Sequence, residues 1–285
     1  MRKSKSEGKK RNLKKGEVLY PVYLGVNTHV HLVKGNKKVG DSIYCLNLLP
    51  GTGYLTLKDG TQLTNVSGTC KGCGEVCENK CYAVRDGKYH HNSTIIKWAE
   101  NTLLVRYKLE QFFAEFREMC LSLVNPVIRI HSDGEYESYE YFSATALFYI
   151  NNPWVTGYCY TKREEWVNRF IEENDLCDYV RETGKIAPNF IVLISRWNEW
   201  KENKYGLPIF VFDDGTNPDL KNRPHCPAVD ENGEDTGVTC SLCKSCIKGI
   251  SKCVYDHSMQ KLAKMRAIRA KIEKEKGKDC FKAKK

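Results

Sequence analysis

Val127-Ile128-Arg129-Ile130, Ile191-Val192-Leu193-Ile194 and Ile209-Phe210-Val211-Phe212 decide the fold class. Apart from Arg129, each run is apolar at successive positions, so both of its faces are greasy. That is how a strand reads when layers cover both sides of its sheet. Between the runs, residues 136–151 and Glu164–Val180 carry apolar side chains at helical spacing, and Val155–Tyr160 reads as another strand. This alternation predicts an α/β protein with a parallel sheet, folded as a partial parallel (β/α) barrel. Sites of such sheets lie beyond the C-terminal ends of the strands. Residues directly after each run therefore matter most.

Toward the N-terminus, Ser93 and Thr94 offer caps for a long helix running to about Asn125, where Pro126 stops it. Before it lies a strand-rich region, with runs at 18–26, 29–33, 43–49 and 53–57 broken by Gly, Pro and Asn, and with Lys58-Asp59-Gly60 as a turn. Toward the C-terminus, residues 219–254 read as Cys/Gly/Asp-rich coil. A basic helix from Ser258 to Lys276 follows, with Leu262, Met265, Ile268 and Ile272 on one face for docking on the body. The expected organisation is a disordered basic arm (1–16), an α/β partial-barrel domain with the first cysteine set (17–218), a Cys-rich auxiliary metal segment (219–257), and a basic helix and tail (258–285).

Composition narrows the function classes. At 285 residues and 41% hydrophobic content the chain can bury a core. No apolar run reaches the roughly eighteen residues of a membrane span, and the basic start lacks the apolar centre of a secretion signal. A soluble, cytoplasmic protein with no membrane partner is expected. The net charge of +10 is concentrated at the ends: residues 1–15 carry +7 and residues 261–285 carry +8, which leaves −5 for the body. The body shows no basic surface for a dedicated nucleic-acid domain. The tails read as solvated ends, with a grip on nucleic acid as the alternative.

Fourteen cysteines without a secretion signal do not suggest a disulfide framework. They also cluster. Cys70, Cys73, Cys77 and Cys81 fall within twelve residues, with Gly72 and Gly74 between them, crowding that an iron–sulfur cluster tolerates and that a two-knuckle zinc ribbon does not. In the second set, Cys240-x2-Cys243-x2-Cys246 has the core spacing of a bacterial ferredoxin loop, and the remote Cys226 precedes Pro227 as the fourth ferredoxin ligand does. The same four residues also make a tetrahedral zinc set, and that alternative stays open. Cys253 could replace one of them, and His225 reads as a neighbour of the site. Cys45, Cys120, Cys159 and Cys177 read as small buried hydrophobes, and Cys280 as a bystander in the tail.

Cys70 with Cys77…Cys81-Tyr82-Ala83, Arg129-Ile130-His131-Ser132, Tyr158-Cys159-Tyr160-Thr161-Lys162 and the block Cys226-Pro227-Ala228 with Cys240, Cys243 and Cys246 together resemble the phage-associated "gene product 88" domain family over about residues 43–257. A wider similarity, a cysteine loop leading into alternating strands and helices, is to radical S-adenosylmethionine enzymes, although the loop departs from the usual C-x3-C-x2-C spacing. That similarity implies a [4Fe–4S] cluster on three of Cys70, Cys73, Cys77 and Cys81, with one iron open to S-adenosylmethionine. It implies a second, auxiliary cluster on Cys226, Cys240, Cys243 and Cys246, and a reductant protein and a substrate as partners. Such enzymes hold the cofactor's amino group with a Gly-Gly-Glu-like turn. Asp133, Gly134 and Glu135 stand in that place here, and an acidic turn that merely ends a strand is the plain alternative. Two rivals are a zinc-binding structural or nucleic-acid-associated protein and a non-catalytic iron–sulfur protein.

Other groupings point to structure. Glu164-Glu165 and Glu172-Glu173 read as a solvated helix face, Asp213-Asp214-Gly215 and Asp230…Asp235 as turns, and Trp197 and Trp200 as core packing or a pocket wall. Neither a GxxxxGK phosphate loop nor a nucleophile elbow is present.

Overall fold

In chain order the elements are β1 (Val18–Tyr20), β2 (Leu32–Lys34), β3 (Ile43–Leu46), β4 (Tyr54–Thr56), β5 (Gln62–Ser67), α1 (Asn92–Tyr107), α2 (Leu109–Leu121), β6 (Val127–Ile130), α3 (Tyr139–Asn151), β7 (Thr156–Thr161), α4 (Glu164–Glu173), α5 (Cys177–Thr183), β8 (Phe190–Trp197), β9 (Ile209–Asp213), α6 (Cys240–Cys243) and β10 (Lys252–Tyr255). This computed structural model describes residues 18–20, 22–74, 77, 81, 83–84 and 92–256. The expected basic arm and the expected C-terminal helix lie outside the described residues.

A seven-stranded sheet runs in the order β2-β3-β6-β7-β8-β9-β10. Every pair in it is parallel except β2 with β3. From β6 to β10 each strand lies beside its predecessor in the chain, so the sheet advances in one direction without the reversal of a doubly wound fold. A smaller sheet, β1-β5-β4, stands at the N-terminal side. The architecture is mixed α/β, with a strand-rich N-terminal region and the second cysteine set near the C-terminal end of the described chain.

Register sorts the side chains onto two faces. Leu46, Ile130, Cys159, Val192, Ile194 and Val211 point to a core closed by helices. Helix α2 supplies Phe112, Phe116 and Cys120, one turn apart on a single stripe, and all three are fully buried. Each such phenyl ring contributes about 2 kcal/mol by leaving water. On α3, Ser138 caps the first turn by accepting from the Tyr141 N–H at 3.2 Å. Tyr149 of that helix stacks on Phe190 with ring centres 4.5 Å apart. Gly157 makes room for it, since a Cβ there would fall 2.2 Å from the Tyr149 ring. The opposite face carries Ile43, Cys45, Tyr158, Ile191 and Leu193, and it is covered by Cys240, Cys246 and Ile247 of the Cys-rich segment.

Three expectations change. The single helix to Asn125 is two helices, because Lys108 leaves helical geometry at φ −144° and ψ 47°; no local residue explains the break. The helix Glu164–Val180 is also two, interrupted where Asp175 takes a left-handed φ of 54°. Residues 219–254 hold a strand, β10, pairing parallel with β9; its four residues are too few to show a period. No helix among the described residues is long and apolar enough to cross a membrane.

Two candidate metal centres

The first cysteine loop is stitched to the residues that follow β3. Thr69 donates its N–H and its hydroxyl to the Leu49 carbonyl, each at 2.9 Å, and the Cys70 N–H donates to Gly51 at 2.9 Å. The Cys73 N–H then closes a turn onto the Cys70 carbonyl at 3.1 Å. Burial pushes the Cys70 thiol up to about 12, and the charges of Glu135, Cys81 and Cys73 add to the effect. Cys81 is raised by burial and by Cys77 and Asp133. The four thiols thus share one electrostatic neighbourhood with the acids after β6. Arg163 donates to the Lys71 carbonyl and lies beside Gly72, which ties the loop to the end of β7.

Asp133, Gly134 and Glu135 follow β6 at the same end of the sheet. Gly134, at φ 89°, passes so close to β3's continuation that a Cβ would meet the Leu48 carbonyl oxygen at 2.9 Å. Asp133 accepts from Asn47 at 3.2 Å. Glu135 is 6% exposed. Its Oε1 accepts from the Thr161 hydroxyl and the Tyr136 N–H, both at 2.8 Å, and its Oε2 accepts from the Lys162 N–H at 2.9 Å. A carboxylate oxygen takes two donors. Oε1 is therefore filled by these bonds, and Oε2 keeps one position for a cation. The Glu135 N–H donates to Thr69 Oγ1 at 2.9 Å, coupling the acid turn to the cysteine loop.

Lys162, the residue after β7, was not singled out as a site residue by sequence. Burial works against its charge, but Cys77, Glu135, Cys70 and Cys73 outweigh burial and hold its ammonium above the ordinary range. Its Nζ lies 3.4 Å from Ser195 Oγ of β8. Strands β6, β7 and β8 and the segment after β3 thus bring an acid pair, a lysine and four thiols to their C-terminal ends.

The second set lies on the sheet's other face. Cys226, Cys240, Cys243 and Cys246 border a cavity of about 20 Å³ together with Tyr158, Ala228 and Ile247. Its N–H groups at Cys240 and Ser241 donate to the Lys38 and Val39 carbonyls at 2.9 and 3.1 Å, which docks the segment on the turn between β2 and β3. Thr239 caps α6, and Lys244, left-handed at φ 56°, turns the chain between Cys243 and Cys246. Burial pushes the Cys246 thiol up to about 11, against a hydrogen bond from Tyr160 that lowers it. Cys226 and Cys240 are also raised by burial, and Arg129 draws all three down. Arg129 lies over the Tyr160 ring at 5.1 Å.

All thirteen described cysteines are free thiols. Among the described residues no group of three or more His, Cys, Asp or Glu side chains is placed to hold a metal ion. The donor chemistry of both sets nevertheless suits one: eight half-buried thiols would exchange protons for metal, and burial holds five of them above the ordinary thiol range.

Some expectations fail here. Cys253 cannot replace a ligand of the second set: it is fully buried on the helix-covered face, where burial and Asp213 hold it up to about 11. Cys45 is a small buried hydrophobe as expected; it packs in the same cluster as Cys240 and Cys246 and meets the Ser132 hydroxyl at 3.3 Å. Glu164 is not on a solvated face; it pairs with Arg196 at 2.6 Å and accepts from Asn203 at 2.8 Å. His225 is a neighbour of the set, as expected, bonded to buried Asp213 at 3.0 Å and stacked on Tyr255. Trp197 stacks on Phe212 and Trp200 lies under Arg223.

No curated protein and no solved structure matches this chain. The sequence profile described as Gene product 88 matches residues 30–249, a span that begins at the buried Val30 ahead of β2 and ends just beyond the last cysteine of the second set. Both cysteine sets, the acid turn and strands β2 to β9 fall inside it, and the chain belongs to the Gene product 88 family.

Proposed function

We propose that the first cysteine set, with the turn after β6, is a [4Fe–4S] site of the radical S-adenosylmethionine type, in a partial parallel barrel, acting on an unidentified substrate. The observation that carries this reading is convergence: thiols, Asp133, Glu135 and Lys162 meet at the C-terminal ends of parallel strands, where such sheets build their sites. Cys70, Cys77 and Cys81 would hold the cluster, and Cys73 would be the fourth ligand or a bystander. What the bound group supplies is one-electron reduction of a sulfonium. The chain's own part is placement. Glu135 Oε2 keeps one acceptor position for an ammonium, and Asp133 adds a second negative charge nearby. The Lys162 ammonium offsets the negative charge that three thiolates bring.

The test is anaerobic purification with iron and sulfide analysis, followed by S-adenosylmethionine binding. Glu135→Gln keeps the shape and the acceptor oxygen and removes the charge; it should weaken binding about tenfold or more while iron content stays unchanged. Cys77→Ala should abolish both. Cys73→Ala should lose iron if Cys73 is a ligand, and keep iron and binding if it is not. An iron-replete protein that never binds S-adenosylmethionine would favour a non-catalytic iron–sulfur protein.

A further inference from the structure

Cys226, Cys240, Cys243 and Cys246 border one cavity. It is small, about 20 Å³, and all four thiols line it. No carboxylate or imidazole lines it, and its remaining walls are Tyr158, Ala228, Ile247 and the polar neighbours Thr239, Lys244, Ser245 and Lys252. Two of the four sulfurs have a hydroxyl partner: Ser245 Oγ is 3.1 Å from Cys243 Sγ, and Tyr160 is hydrogen-bonded to Cys246. Both hydroxyls become donors once the sulfurs are thiolates. Arg129 acts on Cys226, Cys240 and Cys246, and Lys252 acts on Cys226. Two cations thus stand against the net charge of −2 that four thiolates and one divalent ion would carry.

We propose that the second set takes a single zinc ion in a closed, four-thiolate site that pins the Cys-rich segment to the sheet face carrying Tyr158 and Ile191. A soft ion that takes four sulfurs tetrahedrally at about 2.3 Å suits a set of four thiols with no carboxylate or imidazole beside it. Four thiolates leave no position for substrate, so the role is structural. The proposal does not rest on the reading of the first set.

The test is metal analysis of the full chain, purified anaerobically, by mass spectrometry. One zinc per chain is expected, unchanged in Cys77→Ala, and lost in Cys240→Ala. Should Cys240→Ala fail to fold, cobalt substitution of the unaltered chain replaces it: one equivalent should give the intense visible bands of tetrahedral thiolate coordination. Iron and sulfide lost at several atoms per chain in Cys240→Ala, or an unaltered chain that binds neither zinc nor cobalt, would overturn the proposal. Loss of S-adenosylmethionine binding with zinc retained counts against the first site alone.

Discussion

Cys70, Cys73, Cys77 and Cys81 share the C-terminal end of the sheet with Asp133, Glu135, Lys162 and Ser195, whereas Cys226, Cys240, Cys243 and Cys246 surround a small space with no acid beside it. The first neighbourhood keeps polar groups beyond what its own hydrogen bonds consume, and in the second Ser245 and Tyr160 are bonded to the sulfurs themselves. On the function proposed above, the first set would meet a ligand. On the zinc proposal, the second set would hold chain together. Equal cysteine counts would then serve opposite ends.

The widest separation should appear in stability. Cys240→Ala should cost about 4 kcal/mol or more and lower Tm by about 10 °C, because it releases the segment that covers Ile43, Tyr158, Ile191 and Leu193. Cys77→Ala should lower Tm by only a few degrees while removing iron. Calorimetry of the two variants side by side checks this, and equal losses would break the comparison.

A smaller effect comes from acid. His131, at the end of β6 before the acid turn, is 4% exposed, and burial pulls its pKa down to about 3. The unfolded chain binds this proton below about pH 6.5 and the folded chain does not until about pH 3. The stabilisation is thus complete above pH 6.5 and is lost as pH falls toward 3, amounting to about 2 kcal/mol between pH 6.5 and 5. Urea titrations at several pH values should show that slope, and His131→Asn, which tolerates the left-handed φ of 58° at this position, should flatten it.

The least effect is expected at Thr161. Its hydroxyl donates to Glu135 and accepts from the Arg163 N–H at 2.9 Å. Thr161→Val should cost about 1 kcal/mol in urea unfolding and weaken S-adenosylmethionine binding, with both metal contents unchanged. A loss of zinc in that variant would mean that the two sets are coupled through β7.

Much of the sheet is legible in the chain. The runs at Val127, Ile191 and Ile209 mark β6, β8 and β9 to within a few residues, because burial on both faces leaves a continuous apolar signature. The cysteine spacings mark both sets. What spacing cannot show is the company they keep. Lys162, Arg129, Tyr160 and Cys45 approach their cysteines through the register of β3, β6 and β7, and register joins residues far apart in sequence. The role of Glu135 was likewise half visible: an acid after a strand is common, but its three bonds to Thr161, Lys162 and Tyr136 depend on where β7 ends. The break at Lys108 left no trace, since no Gly or Pro marks it.

The hydrogen bonds from Cys240 and Ser241 to Lys38 and Val39 join positions some two hundred residues apart. A ribosome delivers the partners in a fixed order, the turn between β2 and β3 first and its cover last. From the time Leu193 is made until that cover arrives, the nascent sheet carries Tyr158, Ile191 and Leu193 without Cys240, Cys246 and Ile247 over them. The closing step would then wait on both the final stretch of chain and an ion from the cell. During expression, zinc supply would set how long an adhesive surface stays open to neighbouring chains, and so whether the protein is recovered folded or as aggregate.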